Sequence, residues 1–213
     1  MHDRPADEFF NRAAEVIAKA EDPAAARAYI YGFICHFALD SECHPYVEKM
    51  IQVSGISHSE IEMEFDRMLL TEDFLNPLRH DSARHIHPTM ENSRVIAPFF
   101  DGVPPETVRK ALKSMKTYLH ILRAPDMRKR KILLGGMKLA RCYDSMHGMV
   151  MSIEPNPDCK EYCALLKRRF SGAVPLAAGL ILQYQKKLFQ GGELPDRFRL
   201  TFGEGDHWEE LRL

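Results

Sequence analysis

The chain has 213 residues, 45% of them hydrophobic, enough for the core of one domain and too few for two comfortable ones, so a single domain over 1–213 is expected. Lys and Arg number 29 against 30 Asp and Glu, a formal net charge of -1, which removes any bulk electrostatic reason to expect nucleic acid or an anionic membrane as partner. The longest apolar stretch, Gly172 to Leu182, contains Pro175 and falls well short of the roughly 20 residues that span a bilayer.

Helix signals stand at nearly every boundary and strand signals are almost absent, so an all-α bundle is expected. The first helix is predicted from about Pro5 to Ala20, with Phe9, Phe10, Ala13, Val16 and Ile17 on one stripe. The second starts where Asp22 can cap and Pro23 suits the first helical position, and it should end near Cys43 because Pro45 disfavours a helical His44. Ser57 followed by Glu60 reads as a capping box, which starts a third helix at His58 and carries it to about Leu70. Asn76 to Pro88 reads as a polar, His-rich loop. A short helix follows over Thr89 to Phe100, and a stronger one runs from the Pro104-Pro105 pair to about Leu122. Two long helices are predicted last, Asp126 to Met151, weakened at Gly135-Gly136, and Asp158 to Gln190, kinked at Pro175. The final twenty residues read as irregular.

The N-terminal run Met1-His2-Asp3-Arg4-Pro5 has no apolar signal region. The five cysteines, Cys35, Cys43, Cys142, Cys159 and Cys163, fit reduced thiols better than a disulfide framework. Both features lead to the expectation of a cytoplasmic protein.

One constellation carries chemistry. His36, Asp40 and His44 recur at intervals of four on the second helix, and His58 and Glu62 repeat the interval on the third, so each set shares a helix face. An antiparallel turn between the two helices would aim five nitrogen and oxygen donors at one locus. Imidazole and carboxylate are the usual ligands of catalytic zinc, which keeps about three protein ligands and an open position for water. The sequence argument for metal rests on burial. Set among Tyr29, Ile30, Phe33, Ile34, Phe37 and Leu39, these polar groups would be left uncompensated without an ion.

The run from Tyr31 to Pro45, Tyr-Gly-Phe-Ile-Cys-His-Phe-Ala-Leu-Asp-Ser-Glu-Cys-His-Pro, followed by His58-Ser59-Glu60-Ile61-Glu62, resembles the metal-binding core of the bacterial zinc-dependent phospholipase C family. The likeness covers about a seventh of the chain. It implies an all-helical domain in which His36 and Asp40 hold one zinc ion and His44, His58 and Glu62 a second. His2 resembles that family's preceding histidine ligand. The family's upstream segment, which supplies an N-terminal ligand, a further histidine and a catalytic aspartate, has no counterpart here, so the resemblance implies a chain shortened at its front, with a third zinc only if that segment exists. The tight Asp40 to His44 spacing resembles the intracellular-looking branch.

The implied function is phosphate ester hydrolysis, with a small-molecule or lipid substrate, by a water that the metals activate. Asp40 could bridge the metals, and Glu60 or Asp66 would orient the histidines. Two alternatives stand beside it. One is a truncated, non-catalytic helical metal-binding or partner-binding domain. The other is a helical His-Asp phosphohydrolase centred on His80-Asp81, against which the loop context counts. Solvated loop positions are expected for His80, His85 and His87, a solvated first turn for Arg128 to Lys131, core thiols for Cys159 and Cys163, and packed helical positions for His120 and His147.

Overall fold

The computed structural model describes residues 4–213, and it is all-α: no strand occurs among the described residues. Among the described residues eight α-helices follow in order, α1 (Ala6–Lys19), α2 (Pro23–Ser54), α3 (His58–Glu72), α4 (Met90–Ile96), α5 (Pro105–Leu122), α6 (Met127–Leu139), α7 (Tyr143–Met146) and α8 (Lys160–Gln190). Single 3-10 turns sit at Ala97–Phe99, His147–Met149, Pro157–Cys159, Asp196–Arg199 and Trp208–Glu210. Length alone suggested one domain over 1–213. The fold divides into two compact units, the first comprising the chain up to Lys49 with Pro88–Ala111 and Arg168–Arg212, the second comprising Met50–His87 and Leu112–Lys167.

The core of the first unit grows from the stripe read in α1. Phe9, Phe10, Ala13 and Ile17 are buried against Ile30, Ile34, Phe37 and Ala38 of α2 and Ala177, Leu180 and Tyr184 of α8. Phe10 is the hub of an aromatic cluster, with ring centroids 5.8 Å from Phe37, 5.8 Å from Tyr184 and 5.1 Å from Phe198, each edge-to-face, the arrangement ring quadrupoles favour. The Tyr184 hydroxyl donates to the Phe10 carbonyl at 2.9 Å, satisfying the one polar group of that large side chain. The tail has little regular structure, as expected, yet it is packed: Phe198 and Phe202 are buried in the cluster and the Leu200 carbonyl accepts from the Ala6 amide at 3.0 Å.

The second helix departs from expectation. It runs through Pro45 to Ser54, although an interior proline removes one backbone bond and costs roughly 3 kcal/mol. The buried stripe does not stop at Pro45: Val47 and Met50 lie beyond it, 1% and 0% exposed. Ending the helix at Cys43 would give up that burial, worth about 1.5–3 kcal/mol per side chain. The stop lies at Gly55, whose φ of +73° suits a residue without Cβ and whose amide reaches the Ile51 carbonyl at 2.8 Å, closing the helix in a left-handed cap.

The third helix starts where the capping box placed it. The Ser57 hydroxyl accepts from the Glu60 amide at 3.3 Å. In the second unit α3 carries two faces with different work. Glu64, 5% exposed, accepts from Arg67 Nε at 3.2 Å, Ser152 Oγ at 2.7 Å and the Asn156 amide at 3.1 Å. Arg67 in turn donates to the Ser152 carbonyl and hydroxyl. This network ties residues 152–156 to the helix. The opposite stripe, Glu62, Met63, Asp66 and Leu70, lines a cavity.

Where one helix was predicted from Asp126 to Met151, α6 stops at Leu139. Asp126 caps its start, accepting from the amides of Arg128 and Lys129 at 3.1 and 2.9 Å. The Gly135-Gly136 pair stays helical. The break comes at Arg141, φ 57°, with the Cys142 amide on the Met137 carbonyl at 3.0 Å and the Arg141 amide on the Lys138 carbonyl at 3.1 Å, a Schellman closure built without its usual glycine. An L side chain held left-handed costs about 1–2 kcal/mol. The exposed Arg141→Gly variant is therefore expected to gain about 0.5–1 kcal/mol net of the extra chain entropy of glycine, readable as a raised urea midpoint. An unchanged or lowered midpoint would count against this cap.

Candidate metal centre

In the first unit, the four-residue spacing on α2 does what helical geometry requires. His36 Nε2 lies 3.2 Å from Asp40 Oδ2, and His44 Nδ1 lies 4.0 Å from that oxygen on the other side. Asp40 and His44 are enclosed, with side chains 10% and 13% exposed. His36 is half exposed, its ring packed 5.9 Å from Phe33 and 5.5 Å from Phe202 between centroids.

His44 Nδ1 stands 2.5 Å from the Phe202 carbonyl oxygen. A carbonyl only accepts, so Nδ1 carries the proton and the neutral ring keeps its lone pair on Nε2. This is the support that metal-ligating histidines commonly receive from a backbone carbonyl, fixing both tautomer and ring orientation. No signal in the sequence announces it, because the acceptor is a backbone atom 158 residues away in a tail without regular structure. Beside it Arg197 donates to Glu42 Oε1 at 2.6 Å and to Ser41 Oγ at 3.0 Å, fixing the same tail to α2.

In the second unit, His58 Nε2 lies 3.0 Å from Glu62 Oε1 at the start of α3. Both side chains are substantially exposed, 41% and 51%. The burial argument made from the sequence therefore holds for Asp40 and His44 and does not hold for His36, His58 and Glu62. Helical i,i+4 pairs of imidazole and carboxylate satisfy each other at the surface, and apolar neighbours in sequence occupy other faces of the helix. His2 lies outside the described residues.

Glu60 is not an orienting group for the histidines on α2 or α3. Its carboxylate accepts from Asn156 Nδ2 at 2.8 Å and faces His147 Nε2 at 3.8 Å. Asp66 lines the cavity on the other side of α3. Its carboxyl is held above the usual range by surrounding protein bulk, with the charge of Glu62 adding to the effect.

His80 and Asp81 sit in turns outside any helix, and Asp81 is matched by His120 at 3.6 Å and Arg123 at 3.7 Å. His120, expected as a packed residue, has a side chain 40% exposed in this ion pair. His147 is packed as expected, stacked 4.7 Å from Tyr143 with Nδ1 on the Tyr143 carbonyl at 2.8 Å.

Cys159 and Cys163 are buried thiols. Burial pushes Cys159 up to about 12 and Cys163 to about 11, from an ordinary 9.0, with neighbouring Glu64 adding to both. The folded chain thus holds these protons more tightly than the unfolded one. Their contribution to stability is present below about pH 9 and falls away as pH rises toward 11 to 12. Iodoacetamide at pH 8 is expected to alkylate exposed Cys35 and spare this pair until denaturant is added. Labelling of either in the folded chain would contradict their burial. No family model, curated protein or solved structure matches the chain.

Proposed function

We propose that the chain is a zinc-dependent hydrolase of phosphate esters whose zinc ligands are drawn from His36, Asp40, His44, His58 and Glu62. The observation that carries the reading is the enclosed Asp40 carboxylate 3.2 Å from His36 Nε2, with His44 on the same helix held by a backbone carbonyl in the tautomer that keeps its lone pair on Nε2. Two imidazoles and a carboxylate match the donor chemistry of catalytic zinc. Zinc held there supplies positive charge against phosphate oxygens and a bound water acidified toward neutrality.

The chain's own residues do the rest. Asp40 concentrates negative charge between the rings in a water-poor setting, which favours a cation. The Phe202 carbonyl keeps His44 from rotating away. His36, half exposed, would offer Nε2, the atom that faces Asp40 at 3.2 Å.

The test is zinc content by mass spectrometry with turnover of bis(4-nitrophenyl) phosphate. About two zinc per chain and measurable hydrolysis are expected, and His44→Ala should lower zinc affinity and turnover by about a hundredfold or more, since even supporting residues of metal sites carry 10–100-fold. Failure to bind zinc at all would end the reading.

A second reading is a non-catalytic helical domain that binds metal or a partner. It is favoured by the His58–Glu62 pair, whose 3.0 Å hydrogen bond at an exposed position needs no ion to be compensated. A single tightly held zinc without turnover would support it.

A further inference from the structure

The second unit contains a cavity of about 230 Å³, of whose lining the zinc reading uses Glu62 alone. One wall is the α3 stripe of Glu62, Met63, Asp66 and Leu70. The other walls are the 77–83 turns, the end of α5 and Met149 and Met151. The lining is mostly apolar, with three carboxylates, Glu62, Asp66 and Asp81, one guanidinium, Arg123, and one imidazole, His80. A concave, largely apolar site with a few placed polar groups is the usual form of a small-molecule pocket.

The three carboxylates are not equivalent. Glu62 is engaged by His58 at 3.0 Å. Asp81 is matched by His120 and Arg123. Asp66, an exposed residue with no hydrogen bond and no ion pair among the described residues, gives the wall one carboxylate open to a ligand, beside thioethers and leucines of the same lining. Met63, Met149 and Met151 are side chains that reshape easily around an apolar body.

We infer that this cavity is a binding site for a small organic cation, a protonated amine carrying an apolar body, with Asp66 taking the ammonium and Met63, Leu119, Leu122 and Met151 taking the body. The anionic lining disfavours a carboxylate or phosphate, and the apolar walls disfavour a bare metal ion, whose hydration they cannot replace. The inference goes beyond the proposed function, because Asp66 is not among the proposed zinc ligands, of which Glu62 alone lines the cavity.

The test is calorimetric titration of the full chain with three probes of one shape: 3-phenylpropylammonium, 3-phenylpropan-1-ol and 3-phenylpropanoate. The ammonium should bind about tenfold or more tightly than the alcohol, the ratio a charge-assisted hydrogen bond carries, and the carboxylate least. Asp66→Asn should erase the preference for the ammonium while leaving alcohol binding unchanged. Leu119→Lys, at a part-exposed position, should abolish ammonium binding with the unfolding midpoint intact. Equal binding of ammonium and alcohol, binding of neither, or a preference that survives in Asp66→Asn would overturn the inference. Zinc content is read separately and tests the other reading.

Discussion

Phe10→Ala is expected to destabilise the first unit by about 3–5 kcal/mol, the usual range for emptying a buried phenylalanine site. Phe10 is fully buried and meets the rings of Phe33, Phe37, Tyr184, Phe198 and Phe202. These come from α2, α8 and the tail, so the cavity left behind has walls from three segments and cannot close by one side chain turning. Loss of the edge-to-face contacts adds to the lost transfer energy. The effect also travels to the candidate centre. Phe202, whose carbonyl holds His44, is seated on this cluster, so zinc affinity should fall along with stability. Phe10→Leu keeps most of the volume and should cost far less, about 1 kcal/mol. Urea unfolding followed by circular dichroism reads both variants, and a Phe10→Ala chain within 1 kcal/mol of the parent would mean that the hub is misplaced.

Glu64→Leu is expected to cost about 3–5 kcal/mol in the second unit. The carboxylate is 5% exposed and accepts from Arg67, Ser152 and the Asn156 backbone. Removing it takes the counter-charge from the Arg67 guanidinium, whose side chain is 11% exposed, and leaves the Asn156 amide without its acceptor, while Ser152 Oγ keeps the Glu154 carbonyl at 2.7 Å. The double variant Glu64→Leu/Arg67→Leu should be less damaging than the sum of the two single changes, because it removes the stranded charge as well. Strict additivity would show that the pair is not coupled. Hydrogen exchange supplies an independent readout: amides near Asn156 should lose protection in Glu64→Leu, since this carboxylate anchors that segment.

The parts of the fold legible in the sequence are those fixed by short-range chemistry. Ser57 with Glu60 marked the start of α3, and Asp126 was read as the start of α6. The alternation of Phe9, Phe10, Ala13 and Ile17 gave the buried face of α1. The misreadings came where long-range packing overrode a local preference. Pro45 does not end α2, because Val47 and Met50 are buried beyond it, and the glycine that ends the helix stands ten residues later. At Arg141 a left-handed cap was formed by a residue that advertises none. The tail reads as irregular and is so in backbone, yet Phe198 and Phe202 carry core packing that no periodicity in that stretch reveals.

The same division runs through the candidate centre. Intervals of four place His36, Asp40 and His44 together, and His58 with Glu62, because the helix period alone dictates it. Their environments were not legible. Half exposure of His36, His58 and Glu62 depends on which face of each helix meets the core, and the Phe202 carbonyl that fixes His44 comes from the far end of the chain. Glu60, four positions before Glu64, belongs to the structural face of α3 and bonds Asn156, whereas sequence proximity placed it with the ligands.

The most direct measurement is an anomalous difference map at the zinc edge from crystals of the full chain grown with zinc. The account predicts a peak about 2.0–2.2 Å from the Asp40 carboxylate and a histidine nitrogen of α2, the ordinary zinc distances, with the 3.2 Å contact between His36 and Asp40 opened to admit it. An unchanged 3.2 Å contact between His36 and Asp40 at saturating zinc, with no peak beside Asp40, would contradict it.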